Sequence, residues 1–187
     1  MDGDARQHPA ADLPRYTREM SEFVGLDEAD IAAIRASAPF VLRHEAALTA
    51  ALYDHFLRFP AAARFFLGAD GQPDRERLER RKHSLGRWLR ETAEAAMGHG
   101  FAHYLLGVGI AHSHRDYGPG GKIPPQLMIG ALSLTQTAIA RLLETEMDDP
   151  GVALAASIAW NKLLLVHLSV LLLGYFLPPA PVSDAGR

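Results

Sequence analysis

The sequence predicts an all-α domain. Three observations carry that expectation: apolar residues recur at helical spacing, proline and glycine breaks cut the chain into helix-length segments, and no segment shows a convincing period-two alternation. At 187 residues, with 48% hydrophobic and 22% charged positions, the chain has the size and balance of one compact globular domain.

In chain order, residues 1–13 are polar and acidic and are expected to be disordered, ahead of a domain over 14–177. A short helical segment, roughly Tyr16 to Phe23, ends at Gly25. The next helix begins after Leu26, with Asp27 or Glu28 near its positive end, and Pro39 is expected to kink or restart it. Phe40 to Phe59 reads as a second long helix stopped by Pro60, followed by a helical turn over Ala61 to Leu67. Turn residues make Gly68 to Pro73 a loop. Asp74 to Met97 is a highly charged helix carrying Leu78, Leu85, Leu89 and Ala96 at helical spacing, broken by Gly98 and Gly100. Phe101 to His114 is another helix, ended by Tyr117-Gly118-Pro119-Gly120-Gly121. Pro124 and Pro125 suit the first turn of a helix reaching about Met147. A turn over Asp148 to Gly151 leads to the last helix, Val152 to about Leu177, and residues 178–187 are expected to be a disordered tail.

Composition removes several function classes. There are no cysteines, so disulfides, thiolate metal sites and cysteine nucleophiles are excluded, and nine histidines leave imidazole as the strong transition-metal ligand. A net charge of −3 gives no general attraction to nucleic acid or anionic membrane. The arginine-rich run from Arg75 to Arg90 has a single interleaved aromatic, Trp88, and reads as a solvated helix face with i,i+4 ion pairs, one or two of its arginines being candidates to hold carboxylates of a cofactor. No basic start followed by an apolar run is visible, so a cytoplasmic location is expected. The most apolar stretch, Leu163 to Leu177, is about fifteen residues, short of the roughly 20 that span a bilayer, and it contains His167 and Ser169. It is expected to be a core or interface helix and no membrane partner is expected. His103 and His114 lack a third ligand at helical spacing, and no phosphate loop, serine elbow or paired His-Glu motif is found.

Phe101, Leu105, Val108 and His112 fall within one narrow stripe of their helix, with His103 and His114 about half a turn away on the wetter side. An inward imidazole needs a partner, because an unpaired buried polar group is costly. A backbone carbonyl and an iron atom both meet that need, and on spacing alone the carbonyl is the commoner outcome.

The run Val108-Gly109-Ile110-Ala111-His112-Ser113-His114-Arg115 resembles the proximal-histidine motif of protoglobins and globin-coupled sensors. Lys122-Ile123-Pro124-Pro125-Gln126-Leu127 is similar to the entry of the following helix in that family. Arg77-Leu78-Glu79-Arg80-Arg81 and Leu85-Gly86-Arg87-Trp88-Leu89 resemble its distal helix, with Leu85 lying 27 residues before His112. Ala51-Leu52-Tyr53-Asp54-His55-Phe56 resembles the helix that carries a distal tyrosine, Ala159-Trp160-Asn161-Lys162 a motif of the last helix, and Pro14-Arg15-Tyr16 part of the extra N-terminal helix. The resemblance covers roughly residues 14–176.

It implies a globin fold of the protoglobin type, with an extra N-terminal helix, binding one heme b (iron protoporphyrin IX). His112 would be the proximal iron ligand, with His167 the alternative. Tyr53 would line the distal side, where its hydroxyl would donate a hydrogen bond to a bound gas, and Ser84 and Leu85 would face the same cavity. Phe56, Phe66, Trp88, Leu89, Leu105 and Val108, with Met128, Ala131 and Thr135, would contact the macrocycle; ordinary helix packing is the other account of each. The chain departs from the family where Leu52 replaces a tryptophan, where Leu85 and Ala131 replace bulky aromatics, and where Ser113 separates His112 from His114. A less crowded distal cavity follows.

The resemblance implies reversible binding of O2, CO or NO, for gas binding or sensing, and no output domain is expected in the same chain. A heme enzyme with nitric oxide dioxygenase, weak peroxidase or carbene-transfer activity uses the same site. A heme-free helical interaction domain is the third reading. The last two helices, especially Leu163 to Leu173, are more apolar than one buried face requires, so a homodimer through them is expected, as in relatives.

Overall fold

A computed structural model of the chain describes residues 9–94 and 99–178, for His99 the backbone alone. Among them are α1 (Leu13–Phe23), α2 (Glu28–Arg43), α3 (Glu45–Arg58), α4 (Pro60–Ala63), α5 (Arg75–Ala93), α6 (His99–His114), α7 (Pro125–Glu146) and α8 (Pro150–Phe176), with no strand. Short 3-10 turns occupy Pro9–Ala11, Arg64–Phe66 and Gly118–Gly120, and one β-bridge joins Leu67 to Pro73 across the loop before α5. Most of residues 1–13 and 178–187 lies outside the described residues, as does the expected extension of α5 to Met97.

Four helices start at an aspartate whose carboxylate accepts from an otherwise unpaired N–H of the first turn. Asp12 takes Arg15 N at 3.0 Å, Asp74 takes Arg77 N at 2.9 Å, and Asp149 takes Gly151 N at 2.7 Å. Asp27 and Asp30 cap each other reciprocally at the start of α2.

α8 is the central element, packed on α6, α7, α2 and α1. Trp160 is fully buried there, and its indole N–H donates to Ser37 Oγ at 2.9 Å while that hydroxyl donates to the Ala33 carbonyl at 2.8 Å. Lys162 Nζ donates to Asp30 Oδ2 at 2.7 Å and to the Gly25 carbonyl at 2.8 Å, tying α8 to the turn between α1 and α2. The Trp160 and Lys162 positions, read from sequence as a last-helix motif, therefore fasten α8 to the N-terminal helices.

Three expectations need correction. The break after α2 falls at His44, not Pro39, because proline removes one i→i−4 bond without barring the helix beyond it. The corner is held instead by Glu146, which meets Arg43 and His44 at 3.2 Å each. α6 starts at His99, so Gly100, expected in the break between α5 and α6, falls in the first turn of α6. Leu163, Leu164, Val166, Val170, Leu171 and Leu173 are all buried within the chain's own core, so most of the apolarity of 163–173 is covered by the fold and Leu165 is left exposed. The exposed apolar residues of α8 are Val152, Leu154, Ile158, Leu165 and Phe176. By length and composition α8 is apolar enough to cross a membrane, and 61% of its most apolar window is buried in this core.

The crossing of α6 and α8 is made by backbone. A Cβ on Gly109 would stand 1.9 Å from the Leu171 carbonyl oxygen, and one on Gly174 would stand 2.5 Å from Ile110 N. Ser113 Oγ donates to the Gly174 carbonyl at 3.0 Å, closing the same contact. α6 is thus fixed along α8, and its Phe101 and Leu105 share one hydrophobic core with Trp88 and Leu89 of α5 and Ile139 and Leu143 of α7.

Candidate functional site

Phe101, Leu105, Val108 and His112 share one stripe of α6, set beside the face on which Gly109 touches α8, and Phe101 meets His167 of α8. Of these, Phe101 and Leu105 are buried, and Val108 and His112 are partly buried. His112 Nδ1 is buried without a hydrogen-bond partner, and no hydrogen bond to the ring is found among the described residues. Burial, helped by the positive charge of Arg81, pushes the His112 pKa down to about 4. The ring is therefore a neutral imidazole at physiological pH, with a lone pair to offer. His103 is exposed, as expected of the outer face, but His114 is half-buried, its Nδ1 2.7 Å from Ser113 Oγ and 3.0 Å from the Ile110 carbonyl. The wet side expected for His114 is covered because the Ser113–Gly174 contact draws that end of α6 against α8.

The end of α6 is held by the loop that follows. Ile123 N donates to the His112 carbonyl at 3.0 Å, and Tyr117 N to the Gly121 carbonyl at 2.8 Å. Gly120 lies on the Phe65 ring, where a Cβ would come within 2.4 Å, so the loop seats flat on the 3-10 turn before α5. This brings the Tyr117 ring to 5.5 Å from that of His112. Arg81 from α5 covers the other side of Tyr117, its Cζ 4.8 Å from the ring centroid.

On α3, Tyr53 is buried, its ring edge-on to Phe56 at 5.6 Å and to Phe66 at 5.4 Å. Burial raises its phenol pKa well above the usual value, with Arg81 opposing the rise. The neutral hydroxyl has no hydrogen-bond partner among the described residues. Tyr53, Phe56 and Phe66 form one aromatic cluster, and Arg81 links it electrostatically to His112.

The other sequence candidates divide into groups. Trp88, Leu89 and Leu105 belong to the hydrophobic core, with Leu85 packed partly buried against it. Val108, Met128 and Ala131 are partly buried, and Thr135 is buried with its hydroxyl donating to the Ala131 carbonyl at 2.9 Å. Ser84 is exposed and donates to the Arg80 carbonyl at 3.0 Å; it stands a third of a turn from the inward row and is not brought to Tyr53. His167 is buried in α8, edge-on to Phe101 at 5.0 Å. Arg81 and Tyr117 were missed as site residues. Arg81 had a signal: it occupies one position of the row Leu78, Arg81, Leu85, Leu89, a cation in an apolar stripe.

The protoglobin family model matches residues 15–178, nearly the whole described domain. The chain belongs to the protoglobin family. Among solved structures, this protoglobin is similar to the globin domain of a globin-coupled sensor from Geobacter sulfurreducens, with a TM-score of 0.70 and 18% identity over 84% of this chain and 96% of that one. It is also similar to the globin domain of E. coli DosC in a ferric form, with a TM-score of 0.67 and 14% identity over 83% and 96% of the two chains. At these identities the likeness shows the globin fold. No curated protein matches the sequence.

Membership in a globin family implies a heme, and the residues present fit one. The buried His112 Nδ1 has no hydrogen-bond partner among the described residues, and Tyr53, Phe56 and Phe66 offer an aromatic surface with an unengaged hydroxyl.

Proposed function

We propose that this protoglobin is a gas-binding protein that holds heme b through His112 and takes up O2, CO or NO on the Tyr53 side. The observation that carries the reading is the buried, neutral His112 imidazole with no hydrogen-bond partner among the described residues, on the same stripe of α6 as Phe101, Leu105 and Val108. Heme, when bound, supplies the iron at which a diatomic gas binds. The chain supplies the rest. His112 offers an axial nitrogen, and its helix is held against α8 by the Gly109–Gly174 crossing. Tyr53 offers a protonated hydroxyl that no described residue engages. Phe56, Phe66, Val108 and Met128 offer apolar surface that excludes water, with Leu85, Ala131 and Thr135 beside them and Trp88, Leu89 and Leu105 in the core behind.

Reconstitution with hemin tests this. The expected result is a Soret band that shifts on reduction and again on adding carbon monoxide, and that is lost or reduced to a weakly bound form in His112→Ala. A chain that takes up no hemin, or a His112→Ala variant with an unchanged spectrum, overturns the assignment. Turnover of nitric oxide or peroxide well above that of free heme would move the same site into the enzyme class.

The second copy expected from sequence is assigned to an exposed face of α8 that includes Leu165 of the expected stretch. Leu154, Ile158 and Leu165 recur on one exposed face and fit a self-complementary two-fold contact. A cytoplasmic location remains the expectation from the sequence alone.

A further inference from the structure

The imidazole of His112 makes no hydrogen bond among the described residues, and its buried Nδ1 has no acceptor. A histidine that ligates a metal is ordinarily oriented by a carbonyl or carboxylate on its second nitrogen. His112 lacks that brace, so packing has to set the plane of its ring. The ring that lies beside it is that of Tyr117, with centroids 5.5 Å apart and planes at 54°.

Tyr117 is itself held from several directions. Its N–H donates to the Gly121 carbonyl at 2.8 Å and its carbonyl accepts from Gly120 N at 3.2 Å, closing a turn with positive φ at Gly118 and Gly121. The body of that turn rests on other elements, Gly120 on the Phe65 ring and Gly118 against Arg77 and the Leu67 carbonyl. Arg81 of α5 lies over the Tyr117 ring, its Cζ 4.8 Å from the centroid. Past the turn, Ile123 N donates to the His112 carbonyl at 3.0 Å, so the loop returns to the residue it left. None of these contacts uses the Tyr117 hydroxyl. The flat ring is what the loop delivers.

Resting on the heme reading above, we infer that Tyr117 is a positioning residue for the axial ligand, its ring setting the plane of the His112 imidazole in place of a hydrogen bond at Nδ1. Two properties follow. An Nδ1–H with no acceptor makes the imidazole a weaker donor to iron than a hydrogen-bonded one. The orientation depends on a flat ring at position 117 and is indifferent to its hydroxyl.

The test uses wild type, Tyr117→Phe, Tyr117→Leu and Tyr117→Ala, each reconstituted with hemin. Resonance Raman of the reduced, ligand-free proteins reads the iron–histidine stretching band, and hemin titration reads affinity. Urea unfolding of the heme-free chains reports the fold separately. Tyr117→Phe is expected to reproduce the wild-type band and affinity. Tyr117→Leu, which keeps apolar bulk without a ring plane, is expected to broaden the band and weaken hemin about tenfold, and Tyr117→Ala to do more. If Tyr117→Ala does not fold, Tyr117→Leu decides. A wild-type band in hemin-loaded Tyr117→Leu overturns the inference and leaves the heme reading standing, and so does a fall in hemin affinity with the band unchanged. A Tyr117→Phe band altered as much as that of Tyr117→Leu also overturns it, by giving the role to the hydroxyl. Wild type that takes up no hemin, or shows no iron–histidine band, overturns both.

Discussion

His112 carries a pH dependence whose direction follows from its surroundings. Tyr117 from the following loop lies against the ring, Arg81 of α5 adds an opposing positive charge, and no acid pairs with the ring among the described residues. Its folded pKa, about 4, lies below the ~6.5 of an unfolded histidine, so the unfolded chain binds more protons between those values. Stability of the heme-free chain is therefore full above pH ~6.5 and falls as pH drops toward 4, by on the order of 2–3 kcal/mol from this group. Urea unfolding at pH 7 and pH 5 should show that loss in wild type and a smaller one in His112→Leu. Equal slopes for the two proteins would remove the effect from His112. Tyr53 has a different expectation. Its hydroxyl has no hydrogen-bond partner among the described residues, so Tyr53→Phe should leave the stability of the heme-free chain, read by urea unfolding, within about 0.5 kcal/mol of wild type. In the reconstituted ferrous protein, the same substitution should speed dioxygen release about tenfold, read by flow-flash or stopped-flow absorbance.

At the scale of elements, the two glycines of α6 near its middle separate two physical roles. Gly109 meets the Leu171 backbone, whereas a Cβ on Gly107 would meet nothing within 4 Å. Gly109→Ala should destabilise by more than about 2 kcal/mol, since the clash is with backbone that has no rotamer to change. Gly107→Ala on the same helix should be neutral or stabilising by up to about 1 kcal/mol, from helix propensity. Denaturant midpoints of the two variants decide it, and similar values for both would mean that the crossing is looser than drawn. The sequence made the existence and order of these helices legible, because amphipathic spacing and the aspartate caps are local signals. It misled where the deciding contact was distant. Nothing near Pro39 shows that Glu146, far along the chain, holds the corner at His44. His114 looked solvated because its periodicity says nothing of Ser113 reaching Gly174. At the site, His112 and Tyr53 were legible through family motifs, while Arg81 was hidden among charged neighbours whose acids, unlike its own surroundings, neutralise them.

For the whole molecule, the residues left uncovered decide the assembly. Leu154, Ile158 and Leu165 are 63%, 48% and 46% exposed on α8, which is otherwise the most buried helix. Wild type should show a dimer mass by light scattering at micromolar concentration, and Leu154→Arg with Ile158→Arg should give a monomer that retains its helical spectrum. A wild-type monomer at that concentration would count against the interface.

The contact between Gly109 and Gly174 has a mechanical consequence. Side chains that interdigitate give a little under load, because rotamers adjust; peptide planes in direct touch do not. The segment bearing His112 and the far end of α8 therefore behave as one stiff lever. A tug on the imidazole has few soft joints through which to dissipate before it arrives on the surface where Leu165 and Phe176 stand in water.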